Sequence, residues 1–205
     1  METLHEGGPR ALIWQALATA GVRRLQIHCR VVRKPAIAVS GVAVRPVSSG
    51  DADAYRALRP DPEITEAEFQ RRLQSGDRCV GAWEGGRLVG IRWLAIEEAS
   101  IPYLGLRLPL APDACYVYEA FTAPDQRHRG IGNLLSVATG AEACSLGRTK
   151  ILSGVLPENR AGVAFIRSWS RPLGVVGSVR LGRWRLARSF VSPEYVGQVR
   201  TLQRR

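Results

Sequence analysis

Lysine is nearly absent from this chain of 205 residues: Lys34 and Lys150 stand beside 27 arginines, and the net charge is +11. A basic excess of this size can indicate a nucleic-acid or membrane-surface partner. The arginines are scattered, however, and aromatic side chains do not alternate with them in the pattern of a base-stacking surface. The sequence therefore does not favour nucleic-acid binding. The arginines that bunch toward the C-terminus are Arg180, Arg183, Arg185, Arg188, Arg200, Arg204 and Arg205.

Cysteine is scarce, and its positions form no pattern. Neither the paired ligands of a zinc site nor the even spacing of a disulfide framework occurs. We therefore predict free thiols that behave as small buried hydrophobes, and we predict no metal site. The four cysteines are Cys29, Cys79, Cys115 and Cys144.

Long apolar runs are also missing. No stretch approaches the roughly 20 residues with which a helix spans a membrane, so no membrane contact is predicted. Glu2 and Glu6 precede the first apolar stretch, whereas a secretory signal begins with positive charge. The sequence therefore predicts a cytoplasmic protein.

The composition itself is that of a globular protein, with 45% hydrophobic and 23% charged residues. Residues 9–21 predict a helix that ends in a glycine. The alternation that follows buries Leu25, Ile27 and Cys29 and turns His28 outward, as in a half-buried strand. We predict three segments: an N-terminal helix–strand extension (1–40), a main domain (41–190) and a basic C-terminal tail (191–205).

Helices alternate with strands and hairpins through the main domain, which predicts an α/β (α+β) fold with a mixed central sheet flanked by helices. Ser49 or Asp51 is placed to cap one helix, and Thr65 is placed to cap another. Residues 99–112 show no period and predict an irregular connection. The other predicted elements are strands at 41–47, 116–122 and 150–157, a hairpin over 79–96, helices at 64–74, 131–146 and 158–169, and a closing pair of strands within 173–190.

The most informative segment is 116–147, which reads as a buried strand, a polar turn and a helix entered through glycines. Arg127, Arg129, Gly130 and Gly132 lie where the turn meets the helix. Free backbone N–H groups at such a turn, together with the positive end of the helix dipole, favour an anion. The glycines do not fit a dinucleotide fingerprint, which needs a third glycine, or a nucleotide P-loop, which needs Gly-Lys-Ser/Thr. The segment therefore predicts a pyrophosphate site.

Residues 127–132 (Arg-His-Arg-Gly-Ile-Gly) match the pattern Arg/Gln-x-x-Gly-x-Gly/Ala, Pro124 precedes them, and an asparagine follows the next predicted strand. With these features the chain resembles the GNAT (Gcn5-related N-acetyltransferase) superfamily over about residues 41–190. The resemblance implies that acetyl-CoA binds with its pantetheine arm paired to main-chain groups like an added strand. The cofactor-binding residues that it implies are Ala120, Phe121 and Thr122 for the pantetheine, Arg127, His128, Arg129, Gly130, Ile131, Gly132 and Asn133 for the pyrophosphate, and Asn159, which also suits a helix N-cap.

The sequence departs from the family pattern at three positions. Ile166 stands where the family often has the tyrosine that protonates the leaving thiolate, and Gly154 stands where some members have a glutamate. His128 replaces a common glycine in the loop. These departures leave the catalytic acid and base without their usual candidates.

The strand before the loop supplies the remaining catalytic candidates. Several family members carry a base or proton relay at positions that correspond here to Tyr116 and Tyr118. Glu119 is the nearby carboxylate, but strict alternation turns it to the opposite face unless a β-bulge, frequent beside active sites, restores it. The alternative is that the tyrosines are half-buried sheet residues and that Glu119 pairs with an arginine.

The resemblance thus implies an acyl-CoA-dependent acyltransferase, in its simplest form an N-acetyltransferase that moves an acetyl group from acetyl-CoA to an amine. The acceptor, a small molecule or a peptide, is left open, as is a homodimer. Segments 9–33 and 99–112 are the candidate acceptor determinants. A catalytically silent GNAT-like CoA-binding sensor or partner module is the alternative, and a basic surface that binds nucleic acid or anionic lipid is a third hypothesis.

Overall fold

The computed structural model describes residues 8–31, 40–60, 65–167, 169–182, 184–197 and 200–201. Its fold is α/β, with a large mixed sheet flanked by helices, as the sequence predicted. Two compact units share the chain. The first comprises Met1–Val31, Glu97–Ala114 and Leu152–Arg205, and the second comprises Val32–Ile96 and Cys115–Ile151.

The elements follow the predicted order closely. The helices are α1 (Gly8–Thr19), α2 (Ala52–Leu58), α3 (Glu66–Gln74), α4 (Ile131–Ser145) and α5 (Arg160–Arg167), with short 3-10 turns at Ser49–Asp51 and Pro124–Gln126. The strands are β1 (Val22–Val31), β2 (Ala43–Pro46), β3 (Arg78–Glu84), β4 (Arg87–Ala95), β5 (Glu98–Ile101), β6 (Leu106–Pro109), β7 (Ala114–Thr122), β8 (Lys150–Val155), β9 (Arg171–Leu181), β10 (Trp184–Ser189) and β11 (Arg200–Thr201). Within the described part of the chain, no helix combines the length and the apolar character needed to cross a membrane.

The second unit is built on an antiparallel sheet with the strand order β7–β4–β3–β2. Neighbouring residues of β4 point to opposite faces. Trp93 packs on one face with Tyr55 of α2 and Phe69 of α3, whereas Leu94 shares the other face with residues of α4. The sheet is therefore covered by α2 and α3 on one side and by α4 on the other.

Local signals in the sequence explain several boundaries of the second unit. Thr65 caps α3 as predicted, since its Oγ1 accepts a hydrogen bond from the Glu68 amide at 3.2 Å. Of the two predicted caps, Asp51 occupies the N-cap position of α2, although its side chain makes no hydrogen bond to that helix. Ser48 caps the preceding 3-10 turn and forms a capping box with Asp51, whose Oδ2 accepts from the Ser48 amide at 2.8 Å. The predicted hairpin over 79–96 is formed by β3 and β4, which are joined by a turn at Gly85 and Gly86.

In the first unit the large sheet has the strand order β10–β9–β1–β8, in which β9 is antiparallel to both β10 and β1. A separate antiparallel sheet has the order β11–β6–β5. The prediction of an irregular connection over residues 99–112 is wrong, because β5 and β6 form a hairpin there. Ala99 and Ile101 are buried alternately on β5, as are Leu106 and Leu108 on β6. Strands of four residues separated by a turn are too short for the alternation to stand out in the sequence.

His28 was predicted to face outward and is instead completely buried. Both faces of β1 are covered at this point, since the successive residues Ile27, His28 and Cys29 are all buried. The register shift with β9 adds its extra residue to β9 and leaves the direction of the imidazole unchanged. Its Nδ1 lies 3.2 Å from Ser170 Oγ. Burial, followed by the positive charge of Arg167, lowers the pKa of His28.

The remaining sequence predictions for this region have mixed outcomes. All four cysteines are free, as predicted, and the predicted burial is confirmed for three of them, whereas Cys144 is half-buried. The boundaries at residues 40 and 190 stay predictions, although β11, within the predicted tail, pairs with β6. The predicted helix start at Ile64, and Arg183, Arg204 and Arg205 of the basic cluster, lie outside the described residues.

Candidate functional site

The turn between β7 and α4 has the backbone shape that the anion-site prediction requires. A 3-10 turn begins at Pro124, and α4 begins at Ile131 after Gly130. His128 and Gly130 both have left-handed φ values, +63° and +82°. Alternation of left-handed and ordinary backbone turns successive N–H groups toward one concavity that suits an anion. A left-handed residue is easiest for glycine, and histidine is among the residues that tolerate it best.

Five successive amides at this turn are available to a ligand. Among the residues that the structure describes, none accepts a hydrogen bond from the backbone N–H of His128, Arg129, Gly130, Ile131 or Gly132. The predicted row included Asn133, but its amide donates to the Gly130 carbonyl at 3.0 Å, so the free row ends one residue earlier. An ideal Cβ on Gly132 meets no atom within 4 Å, which leaves the approach to these amides open.

The backbone of the turn contributes a positive potential of its own. The first turn of α4 contains no acidic residue, so the positive end of its dipole is not neutralised locally. The guanidinium of Arg129, predicted to grip the anion, instead binds Glu84 at 2.7 and 3.0 Å. Arg127 is exposed and reaches the Thr122 carbonyl at 3.5 Å.

Gly90 of β4 fixes the position of α4 over the sheet. A Cβ at Gly90 would lie 3.0 Å from Leu135 Cδ1 and 3.2 Å from Ile131 Cγ2. Both of these helix side chains are buried. The helix can approach the strand this closely because the strand has no side chain there, and this approach places the free amides at the end of β7.

A β-bulge interrupts β7 at Glu119, as the sequence analysis allowed. Tyr118 is opposite Trp93 and Phe121 is opposite Ile91, so two residues of β7 face a single residue of β4. Glu119 has a φ of +48°, a left-handed value that is rare outside glycine. The bulge carries the Glu119 side chain to the α2–α3 face, which also carries Tyr118.

On that face Glu119 lies in a network of charged and polar groups, and its side chain is 13% exposed. Its Oε1 accepts from the Tyr55 hydroxyl at 2.6 Å, and its Oε2 accepts from Arg72. Arg59 Nη1 lies 3.6 Å from Oε1. The pairing with arginine, which the sequence analysis held as the alternative, and the bulge are therefore both present.

Tyr118 has its own carboxylate partner. Its hydroxyl donates to Asp77 Oδ2 at 2.5 Å, and its ring stacks on Trp93 with the centroids 6.1 Å apart. Burial, and after it the negative charge of Asp77, raise the pKa of Tyr118 far above the usual value for a phenol. Burial also raises the pKa of Asp77, although the Tyr118 hydrogen bond and the charge of Arg72 oppose the rise.

The other predicted site residues are placed as follows. Tyr116 is buried, with 5% of its surface exposed, whereas Tyr118 is half-buried. Ala120 is exposed, and Phe121 and Thr122 pair with β4 at Ile91 and Gly90. Asn159 Oδ1 accepts from the Gly162 amide at 2.8 Å, so Asn159 caps α5, as the alternative interpretation proposed.

Three residues of this face were not predicted from the sequence: Asp77, Arg72 and Tyr55. No sequence motif marks these residues, because they lie in different segments of the chain and meet at the bulge only in the folded structure. A weak signal exists for Asp77, because a carboxylate directly before a predicted strand lies at a sheet edge. No group of three or more His, Cys, Asp or Glu side chains that could hold a metal occurs within the described ranges.

The fold is that of known acetyltransferases. A protein of Novosphingobium aromaticivorans assigned to the GNAT acetyltransferase family has a TM-score of 0.52 and 17% identity, covering 77% of this chain. This chain spans 65% of that protein's length. The aminoglycoside N-acetyltransferase AAC(6')-Iy, in complex with a bisubstrate analogue of CoA, has a TM-score of 0.51 and 17% identity, covering 63% of this chain and 90% of its own.

A Drosophila protein solved by X-ray crystallography has a TM-score of 0.51 and 14% identity, covering 90% of this chain and 57% of its own. No family model and no curated protein matches the chain. The resemblance inferred from the sequence is confirmed at the level of the fold.

Proposed function

We propose that this protein is an acyl-CoA-dependent acyltransferase that moves an acetyl group from acetyl-CoA to an amine. The observation that carries the proposal is the row of five free amides, His128 to Gly132, at the start of a 15-residue helix without an acidic first turn. Such a row binds the oxygens of a pyrophosphate by hydrogen bonds that the dipole reinforces. The shared fold with acetyltransferases supports the same reading.

In this proposal the main chain of β7 after the bulge binds the pantetheine arm. Ala120, exposed at this point, and the neighbouring Phe121 and Thr122 supply the backbone groups. Asn159 stays a predicted cofactor contact beside its role as a helix cap. The acyl carbon would then lie near the bulge, since the thioester is at the far end of the pantetheine from the pyrophosphate.

The chemistry has to remove one proton and supply another. The amine attacks the thioester carbonyl, the carbon–sulfur bond breaks, the amine loses a proton and the CoA sulfur gains one. A free alkyl amine with a pKa near 10.4 is about one part in a thousand neutral at pH 7, so a base assists the attack. We propose that Tyr118 relays this proton to Asp77, because their hydrogen bond is already in place.

A concerted relay suits the electrostatics of this pair. Tyr118 would accept the amine proton as it passes its own to Asp77, so a free phenolate, which its raised pKa disfavours, never forms. Glu119 is the alternative base. Both oxygens of Glu119 already accept hydrogen bonds, so in this proposal Glu119 holds Tyr55 and Arg72 in position.

Calorimetric titration with acetyl-CoA tests the donor half of the proposal. We expect saturable binding that free CoA competes for, and absence of heat at high micromolar ligand would argue against the assignment. Release of CoA thiol in the presence of an amine panel that includes an aminoglycoside tests the transfer half. Binding without thiol release from any amine would favour the alternative, a catalytically silent CoA-binding module, for which Ile166 and Gly154 at the family's usual catalytic positions argue.

We also propose a cytoplasmic location and a homodimer, and we leave the acceptor open between a small molecule and a peptide. Segments 9–33 and 99–112 are the candidate determinants of acceptor choice. The β5–β6 hairpin within 99–112 gives the second of these a regular structure against which variants can be designed.

A further inference from the structure

The first unit contains a small polar cavity that the acyltransferase proposal does not use. Its volume is about 240 Å³, below the range of roughly 300–1,000 Å³ typical of sites for drug-sized ligands. It lies where α1 ends, beside the start of β1 and the β9–β10 turn. The residues that line it are Ala18, Thr19, Ala20, Gly21, Arg23, Ser178, Arg180, Gly182 and Arg185.

The charge in this cavity is entirely positive. Arg23, Arg180 and Arg185 line it, and no carboxylate is among its described lining residues. Arg180 and Arg185 are directly opposite each other in the β9–β10 ladder, an arrangement of like charges that costs stability. The C-terminal carbonyls of α1 contribute about half a negative charge, which three guanidinium groups exceed several-fold.

Two of the arginines are held in fixed positions. Arg23 Nη1 donates to the Tyr103 carbonyl at 2.8 Å, and Arg185 Nη1 donates to the Leu104 carbonyl at 2.6 Å. The Arg185 guanidinium occupies the space of a missing side chain, since a Cβ on Gly105 would lie 1.2 Å from its Nη1. A guanidinium has five N–H donors, so one such bond leaves donors for a ligand.

Arg180 is the third arginine of the cavity. Its side chain makes no hydrogen bond or ion pair to any residue that the structure describes. A group with this charge and freedom, beside two guanidinium groups already in place, binds a ligand without breaking an existing contact. Low reorganisation of this kind favours affinity.

We propose that this cavity binds a small phosphorylated anion through Arg23, Arg180 and Arg185. The planar guanidinium matches the geometry of phosphate oxygens and binds them in pairs. The volume restricts the ligand to inorganic phosphate, pyrophosphate or a small phosphomonoester. The cavity lies in the first unit and the amides of His128–Gly132 lie in the second, so the two proposed sites share no residue.

The test is a calorimetric titration with three probes: inorganic phosphate, pyrophosphate and glycerol 3-phosphate. It is done in the Gly132→Glu protein, in which a carboxylate at the start of α4 repels phosphate from the other anion site, so the result does not depend on whether that site binds CoA. We expect at least one probe to bind. A preference for glycerol 3-phosphate over the inorganic probes would identify an ester as the ligand.

We expect Arg180→Ala, in the Gly132→Glu protein, to raise the Kd of the bound probe about tenfold to a hundredfold. This is the effect of losing a charge-assisted hydrogen bond. Arg188→Ala is the matched control: it removes the same charge from β10 at an exposed residue that does not line the cavity, and its guanidinium lies over the Phe190 ring. We expect less than about a twofold change, as for a screened surface charge. Arg180 is exposed and lies opposite Arg185, so its removal should leave the circular dichroism spectrum unchanged and should not lower the Tm.

Two outcomes would overturn the proposal. One is the absence of heat with all three probes at low ionic strength. The other is an equal loss in the Arg180→Ala and Arg188→Ala proteins, which would show attraction by the net charge of +11 and not by a site.

Discussion

Replacement of Gly132 by glutamate should strengthen the fold and abolish cofactor binding in the same protein. Gly132 is the second residue of α4, its φ is not left-handed, and an added Cβ meets no atom within 4 Å. The glutamate therefore fits without strain. It also adds the acidic residue that the first turn of α4 lacks.

The stability gain follows from two terms. A glutamate in place of glycine within a helix is favourable by about 0.5–1 kcal/mol, and a carboxylate at the N-terminal end adds about 0.3–1 kcal/mol by its interaction with the dipole. The sum is about 1–2 kcal/mol. For a chain of this length that corresponds to a rise in Tm of about 2–8 °C.

The binding loss follows from charge. At a separation of about 6 Å and an effective dielectric constant of about 20, each pair of unit negative charges repels by about 3 kcal/mol. Salt reduces this repulsion at an exposed turn. We therefore expect the Kd for acetyl-CoA to rise by about tenfold to a hundredfold for each phosphate charge that faces the carboxylate.

Calorimetry and thermal unfolding of one preparation measure both effects. Gly132→Gln is the matched control, since it has the same size and helix preference without the charge, and we expect it to keep most of the binding. Unchanged affinity in the Gly132→Glu protein would refute the placement of the pyrophosphate at these amides. An equal loss in both variants would refute the electrostatic explanation.

Three further predictions concern the support of the site. Gly90→Ala should destabilise the fold by about 1–3 kcal/mol in chemical unfolding, because α4 cannot retreat from the sheet without cost; an unchanged midpoint would contradict the packing described. Tyr118→Phe should lower kcat about a hundredfold or more with little change in KM, and Asp77→Asn should behave alike; normal turnover in either would exclude the relay. Asp51→Asn should lower the free energy of unfolding by about 1–2 kcal/mol at pH 7. The reason is that hydrogen bonds from Arg45 and Ser48, present only in the folded state, hold the pKa of Asp51 below its usual value. A carboxylate whose pKa is depressed in the folded state stabilises the protein above about pH 4, and this stabilisation is lost as the pH falls. The difference in free energy of unfolding between Asp51→Asn and wild type should therefore shrink in acid, and a constant difference would contradict the linkage.

The sequence by itself determined the local parts of this protein. Thr65 specifies the start of α3 through a hydrogen bond three residues away, and the glycines at 130 and 132 specify a helix with an open N-terminus. Such features depend on neighbours along the chain, so pattern and residue type suffice to predict them. The order of strands and helices, and with it the resemblance to acetyltransferases, could be inferred for the same reason.

Tertiary structure alone decided how distant residues meet. A β-bulge in β7 brought Glu119 to the face of Tyr118, and packing covered the face of β1 that carries His28. Nothing local in the sequence announces either feature. Asp77 meets Tyr118 across 41 positions of sequence, as Arg185 meets the Leu104 carbonyl across 81. Proximity of this kind is set by the pairing of strands and the packing of helices on them, and those depend on the whole buried core rather than on any segment.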